Sequence, residues 1–407
     1  MRRSATKCIG NILRHLLLLM LSLALSGCAS LFERIASVTD LDVSPIVDLF
    51  KTKEPEISAE QTARLKLIAA PRPLWQSSIS EKNMVAVLSP AFANDAVYAS
   101  NSEGRLMRFE PSTGKQVWIK DTQNMLSGGV GVGEGMVLVG SFKGEVLAFD
   151  ETGKSLWKAQ ISSEVLGPPQ VDNGVVVVRT GDGRIFGLDA TNGQRRWMYQ
   201  GATPSLTVRN SSRVLIKRDM VFAGFAGGKL VALNLSDGNV KWESTVSRPR
   251  GATELERITD ITSLPVADEW QICAVAYQGR IACFELNNGN QIWAREASSS
   301  AGLAMDDTYI YMSEAHGAVI AYTKSNGTTS WRQEILNGLR LTTPAVREGR
   351  VVVGDSQGYV NFFRVDDGAI VLRAATDESS IFAHPEHLPN GILVQTRKGG
   401  LYAYGIQ

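Results

Sequence analysis

Residues 183–197 read "GRIFGLDATNGQRRW": a glycine, a short apolar run, a second glycine inside a polar turn, and a closing tryptophan. The same string returns in other spellings as "GRLMRFEPSTGKQVW" from Gly104, "GEVLAFDETGKSLW" from Gly144, "GKLVALNLSDGNVKW" from Gly228, "GRIACFELNNGNQIW" from Gly279 and "GAVIAYTKSNGTTSW" from Gly317. Two degenerate copies follow: "GYVNFFRVDDGAIVL" from Gly358 ends on Leu372, and "GLYAYGIQ" from Gly400 stops with the chain. Self-similarity at about 40 residues is the signature of a repeat architecture.

Ahead of each copy stands a β-rich run such as "MVLVG", "VVVVR" or "YIYMS". Apolar β-branched runs separated by X-Gly pairs are hairpin signals, because glycine tolerates the positive φ of tight turns. Further upstream a proline often appears, as in "SPAF", "GPPQV" and "TTPAV", which suits an edge strand. Four strands per unit predict the blades of an all-β, eight-bladed β-propeller over residues 71–407.

Trp118, Trp157, Trp197, Trp242, Trp293 and Trp331 share one repeat position, whereas Trp270 lies outside the scheme. The last copy lacks an outer strand, and "PLWQSSI" at the start of the globule offers one with Trp75 in register. Pairing first and last strands would close the ring and protect two edges. Each indole is expected to pack against its own or the neighbouring sheet; the tryptophans account for the fold and for no chemistry.

The first 27 residues carry four of the 42 basic side chains (Arg2, Arg3, Lys7, Arg14) and none of the 41 acidic ones, so the remainder is slightly acidic. No basic block stands out, which gives no support to a nucleic-acid partner. A basic start, an apolar run from Leu16 to Leu25 and small residues before Cys28 form a secretory signal over 1–27, too short in its apolar part to span a bilayer comfortably. "LSGC" resembles the lipobox of bacterial lipoproteins, which implies cleavage and lipidation at Cys28. Ala29, where inner-membrane lipoproteins usually carry Asp, implies transfer to the outer membrane, with the body facing the periplasm. Residues 28–70 read as the lipidated cysteine and a tether with a short helix near Glu60 to Ala70.

The pattern in "AFDETGKSLW", Ala148 to Trp157, resembles the tryptophan-docking repeat of quinoprotein-type propellers, shared by pyrroloquinoline-quinone dehydrogenases and by the BamB lipoproteins of the outer-membrane β-barrel assembly machinery. Lipobox, tether, eight repeats and length resemble the second family over nearly the whole chain. That resemblance implies a non-enzymatic scaffold needing no cofactor and no metal. The alternatives are a quinone-dependent oxidoreductase and a periplasmic ligand- or glycan-binding propeller. The dehydrogenases carry a vicinal cysteine pair, and no two cysteines are adjacent here. His316, His384 and His387 are read as loop residues without matching ligands. "GGVGVGEG", 128–135, precedes a predicted strand instead of a helix, so it fails as a phosphate loop. Asp366 and Asp367 fall at a turn, where Asp is favoured for local hydrogen bonding. Cys273 and Cys283 flank one hairpin. A two-residue turn at Gln278–Gly279 would set Cys273 opposite Phe284 and leave both thiols unpaired on opposite faces.

From tryptophan to the next hairpin glycine the spacing is 26 residues after Trp118 and Trp157, but 31 after Trp197 and 37 after Trp242. The two enlarged stretches hold consecutive blade connections, so they are expected side by side on one rim, where binding concentrates. They carry "TPSLTVRNSS", 203–212, and "SRPRGATELERITDITSLP", 247–265, a mixture of Arg209, Arg248, Arg250 and Arg257 with Leu206, Val208, Leu255 and Ile258 suited to an interface. By resemblance to the BamB family, Leu206, Val208 and Arg209 match one stretch associated with binding the POTRA repeats of BamA. Gly251, Thr253, Glu254, Arg257 and Asp260 match a second, and Thr262 stands where the family has an acid. The implied roles are apolar anchoring by Leu206 and Val208, polar contacts by Arg209 and Arg257, and loop bracing by Asp260. Other lipoproteins of the machinery would be reached only indirectly, and unfolded outer-membrane substrates would meet blade edges.

Overall fold

The computed structural model describes residues 57–80, 84, 86, 88–201, 213–253 and 255–406; the leader, Cys28 and most of the tether lie outside them. Eight four-stranded antiparallel sheets follow one another as blades. In chain order they span 91–121, 131–160, 170–200, 215–245, 266–297, 302–333 and 345–375, and the eighth combines 386–404 with Pro73–Ser78. The first strands of blades 8 and 1 lie against each other as those of blades 1 and 2 do, which closes the ring around a central channel. Second and third strands are largely buried, while outer strands are mostly exposed around a tryptophan that is buried in blades 2–6 and half-buried in blades 1 and 8.

Closure occurs where the spacing predicts it: Pro73–Ser78 pairs with Gly400–Tyr404 and sets Trp75 opposite Ala403. That register is the one used by Trp157 opposite Ala148, Trp242 opposite Ala232 and Trp331 opposite Ala321. All seven repeat indoles donate their Nε1–H to a backbone carbonyl in the third turn of the next blade, at 2.7–3.1 Å. The turn itself is preset. In blade 2, Asp150 Oδ1 accepts from the backbone N–H groups of Thr152 and Lys154 at 2.9 and 3.0 Å, and Gly153 adopts φ 83°. The tryptophan therefore locks neighbouring blades as well as covering its own sheet. Gly238 shows why the turn needs glycine: a Cβ there would lie 2.5 Å from the Trp197 ring.

One hairpin departs from expectation. Cys273 lies directly opposite Cys283, both are fully buried, and they form a disulfide with Cα atoms 4.1 Å apart. The turn uses three residues instead of two: Ala276 N–H donates to the Arg280 carbonyl at 2.9 Å, and Gln278 takes up the left-handed φ of 50°. A slip of one residue moves every side chain to the other face, which brings the thiols together.

The short helix occupies Ala59–Leu65, capped reciprocally by Ser58 and Gln61. Gln61 Nε2 also donates to the carbonyls of Ile335 and Asn337, and Leu65 is buried against Leu336 and Leu339. The glycine run 128–135 enters the innermost strand of blade 2, Gly131–Gly133, as its failure as a phosphate loop requires. A Cβ on Gly131 would meet the Pro169 carbonyl oxygen at 1.8 Å, so close approach of inner strands explains that residue. Asp367 holds its turn through Arg364 and the Ala369 N–H.

Candidate functional site

Antiparallel blades put their second-to-third-strand turns and the blade-to-blade connections on one face, and their other two turns on the opposite face. Both enlarged connections, 201–214 and 246–265, are successive, and the strands that flank each of them end and begin at the first of these faces. Leu206, Val208 and Arg209 fall in the first of them, outside the described residues.

The second connection is described apart from Glu254. After buried Val246 and Ser247 it runs exposed, with Arg248 and Arg250 in solvent and Arg250 sharing Glu296 with Arg280 at 3.7 and 3.4 Å. "GATELER" then closes on itself. Glu256 Oε2 accepts from the N–H groups of Ala252 and Thr253 at 2.8 and 3.2 Å, and Arg257 N–H donates to the Thr253 carbonyl at 3.1 Å. Those backbone N–H groups hold the Glu256 carboxyl below its ordinary range. The single turn presents Leu255, 68% exposed, beside the exposed Arg257.

Asp260 is buried, at 3% exposure. Its Oδ1 accepts from Gly227 N–H at 3.0 Å in blade 4, and its carbonyl accepts from Tyr277 N–H at 2.8 Å in blade 5. Ile261 N–H adds a bond to the Phe225 carbonyl at 3.2 Å. Asp260 thus ties the connection to the two blades that flank it, three residues after Arg257. Thr262 donates its hydroxyl to the Ser300 carbonyl at 3.3 Å, a bond that an ionised acid at this position could not donate.

His316 and His384 lie outside the strands, as expected of loop residues, but His387 does not. His387 sits in the innermost strand of blade 8, Glu386–Leu388, and His384 just ahead of it, so both face the channel. Burial pushes His384 down to about 3 and lifts the Glu386 carboxyl to about 7. Among the described residues, no group of three His, Cys, Asp or Glu side chains is placed to hold a metal ion, and no helix is long and apolar enough to cross a membrane. The channel groups escape sequence reading because only ring closure brings blades 4 and 8 to one axis. Trp270 is visible in the sequence by its exclusion from the repeat, and is 78% exposed at the first turn of blade 5, on the face away from the connections.

Ring closure and seven docked indoles define a quinoprotein-type propeller. That likeness extends to quinohaemoprotein alcohol dehydrogenase from Comamonas testosteroni, at 14% identity, covering 86% of this chain and 78% of that one, with TM-score 0.67; at such identity it shows fold alone. The sequence model of the outer membrane protein assembly factor BamB family matches residues 102–333. A BamB of Nitrosomonas eutropha is 49% identical over 393 residues, covering 96% of this chain and 94% of the relative, and one of Pseudomonas aeruginosa is 39% identical over 97% and 99%. The crystal structure of BamB from Moraxella catarrhalis superposes with TM-score 0.74 at 25% identity, over 81% of this chain and 100% of that one. The chain belongs to the BamB family of outer membrane protein assembly factors, and is a scaffold, not an enzyme.

Proposed function

We propose that this chain is a lipoprotein anchored through Cys28 to the periplasmic face of the outer membrane, where its connection face binds the POTRA repeats of BamA and so supports insertion of β-barrel proteins. The observation that carries the reading is the pairing of exposed Leu255 and Arg257 in a connection that buried Asp260 ties to both flanking blades. An apolar anchor beside a guanidinium on a rigid base is the chemistry of an interface hot spot. The connection carrying Leu206, Val208 and Arg209 neighbours it in the order of the blades. Leu206 and Val208 supply apolar contact in this reading, and Arg209 with Arg257 meets partner carbonyls or acids. Other lipoproteins of the assembly machinery are reached through BamA.

Capture of the BamA periplasmic region by the full chain tests this. Arg209→Glu and Arg257→Glu are each expected to weaken capture by roughly tenfold or more, equivalent to about 1.4 kcal/mol, with unchanged melting. Trp270→Ala, on the opposite face, should leave capture intact. Undiminished capture by both arginine variants would remove the rim assignment. Cys28→Ala should move the chain out of the membrane fraction; retention there would remove the anchor.

A further inference from the structure

At the connection-face mouth of the central channel lies a cavity of about 490 Å³. Its ionisable lining among the described residues is Arg213, Glu314, Arg340, His384, Glu386 and His387. Glu314 is already held by Arg332 at 2.6 Å. Arg213 and Arg340 form no ion pair within 4.0 Å among the described residues, although Arg213 influences Glu386 and His384 from blade 4, diametrically across the ring. Arg340 lies 5.8 Å from the centre of the Phe382 ring.

The polar groups of this wall are incompletely used. Ser263 Oγ, His384 Nδ1 and His387 Nδ1 are buried without hydrogen-bond partners. The Thr343 backbone lies against the His384 ring, and the Nδ1 of that ring is left without a partner. Glu386 keeps the Phe92 N–H as a partner and retains acceptor capacity. Blade 8 therefore offers acceptors, Arg213 and Arg340 offer guanidinium donors, and Leu264, Val266 and Leu303 give an apolar side. Buried polar groups left unpartnered mark places where a bound species satisfies them.

We infer that the channel mouth binds a small zwitterion, a free α-amino acid or dipeptide, with its ammonium on Glu386 and His384 and its carboxylate on Arg340 and Arg213. A simple anion would leave the acceptors of blade 8 unused, and a simple cation would face two arginines. The site is separate from the rim contact of Leu255 and Arg257, so failure of either leaves the other standing.

Calorimetric titration of the full chain in detergent with glycyl-leucine, its N-acetyl form and its C-terminal amide tests the inference. Saturable binding of glycyl-leucine is expected, weakened at least roughly tenfold by either block. Affinity should rise with pH through about 7 as Glu386, surrounded by Arg213, His384 and the Phe92 N–H, loses its proton. Glu386→Gln should weaken glycyl-leucine by roughly tenfold and abolish discrimination against the N-acetyl form; Arg340→Ala, at an exposed position, should do the same for the amide. The inference is overturned if neither glycyl-leucine nor free leucine gives saturable heat by about 10 mM, if the blocked forms bind equally well, or if both variants bind as the parent does.

Discussion

The joint between blades 3 and 4 and the joint between blades 7 and 8 solve one packing problem in two ways. At the first, Trp197 lies on Gly238 of the next blade and donates to the Leu235 carbonyl at 2.8 Å. Gly187 behind it leaves the room, since a Cβ there would approach the ring to 2.1 Å. At the second, Leu372 replaces tryptophan and Phe362 replaces the small partner. The reason is topological. An indole on blade 7 would dock on the third turn of blade 8, but the two strands flanking that turn come from opposite chain ends, Gly400–Tyr404 and Pro73–Ser78, so the turn does not exist. The bulk moves inward to Phe362, and the N-terminal segment covers the edge: Ala69 bridges Leu372, and Arg373 N–H donates to the Ala69 carbonyl at 2.8 Å. Strand exchange closes the ring at the cost of one docking site.

Truncating the docked side is expected to have the largest effect. Trp197→Ala should lower unfolding stability by about 3–5 kcal/mol, because a buried indole, its hydrogen bond and the contact with Gly238 go together. Leu372→Ala, at a half-buried position, should cost about half as much or less by the same relation. Denaturant melts of the two variants side by side provide the check, and equal losses would mean that docking adds nothing beyond side-chain size.

The undocked joint has a second support, a buried polar set in blade 7. Asp355 is fully buried and accepts from the Tyr359 N–H at 3.0 Å and Asn361 Nδ2 at 2.9 Å, with Arg373 at 3.7 Å. Burial still pushes its carboxyl up. Asp355→Ala should cost about 3 kcal/mol by stranding Arg373, and Asp355→Ala with Arg373→Met should recover much of that loss. Denaturant midpoints of the single and double variants would show it; a double variant no better than the single would place the cost elsewhere.

Repeat, ring size, closing strand and tryptophan positions are legible in the sequence because each is a local pattern copied several times. The Cys273–Cys283 pairing is not, because it turns on whether one hairpin uses two turn residues or three, and Gln278 gives no glycine signal for its left-handed conformation. Removing that bridge by Cys273→Ser should cost about 2–3 kcal/mol for so short a loop. A melt in reductant should give the parent chain the same shift, whereas a parent melt indifferent to reductant would indicate free thiols. At the rim, Leu255 and Arg257 are legible in the sequence only as members of a wider mixture of arginines and apolar residues. Burial of Asp260 is not legible, since it depends on Gly227 and Tyr277 being brought together from the two blades that flank the connection.

Blade 8, beside the undocked joint, also carries two titrating groups with opposite signs. Glu386 is lifted from 4.5 to about 7, so between those values the folded chain holds more protons than the unfolded chain, and this contribution is lost as pH rises. His384 is depressed from 6.5 to about 3, so over that window the unfolded chain holds more protons, and its contribution is lost as pH falls. The two slopes oppose each other between 4.5 and 6.5, and His387, also depressed by burial, adds to the histidine side. Glu386→Gln should therefore expose a loss of stability on acidification, steeper than in the parent by about 1.4 kcal/mol per pH unit. His384→Gln should tilt the profile the other way by a similar amount. Denaturant midpoints across this range read both slopes. If the undocked joint is the weak one, the same variants should also change hydrogen exchange first in blades 7 and 8, and an equal change at the blade 3–4 joint would end the distinction between the two joints.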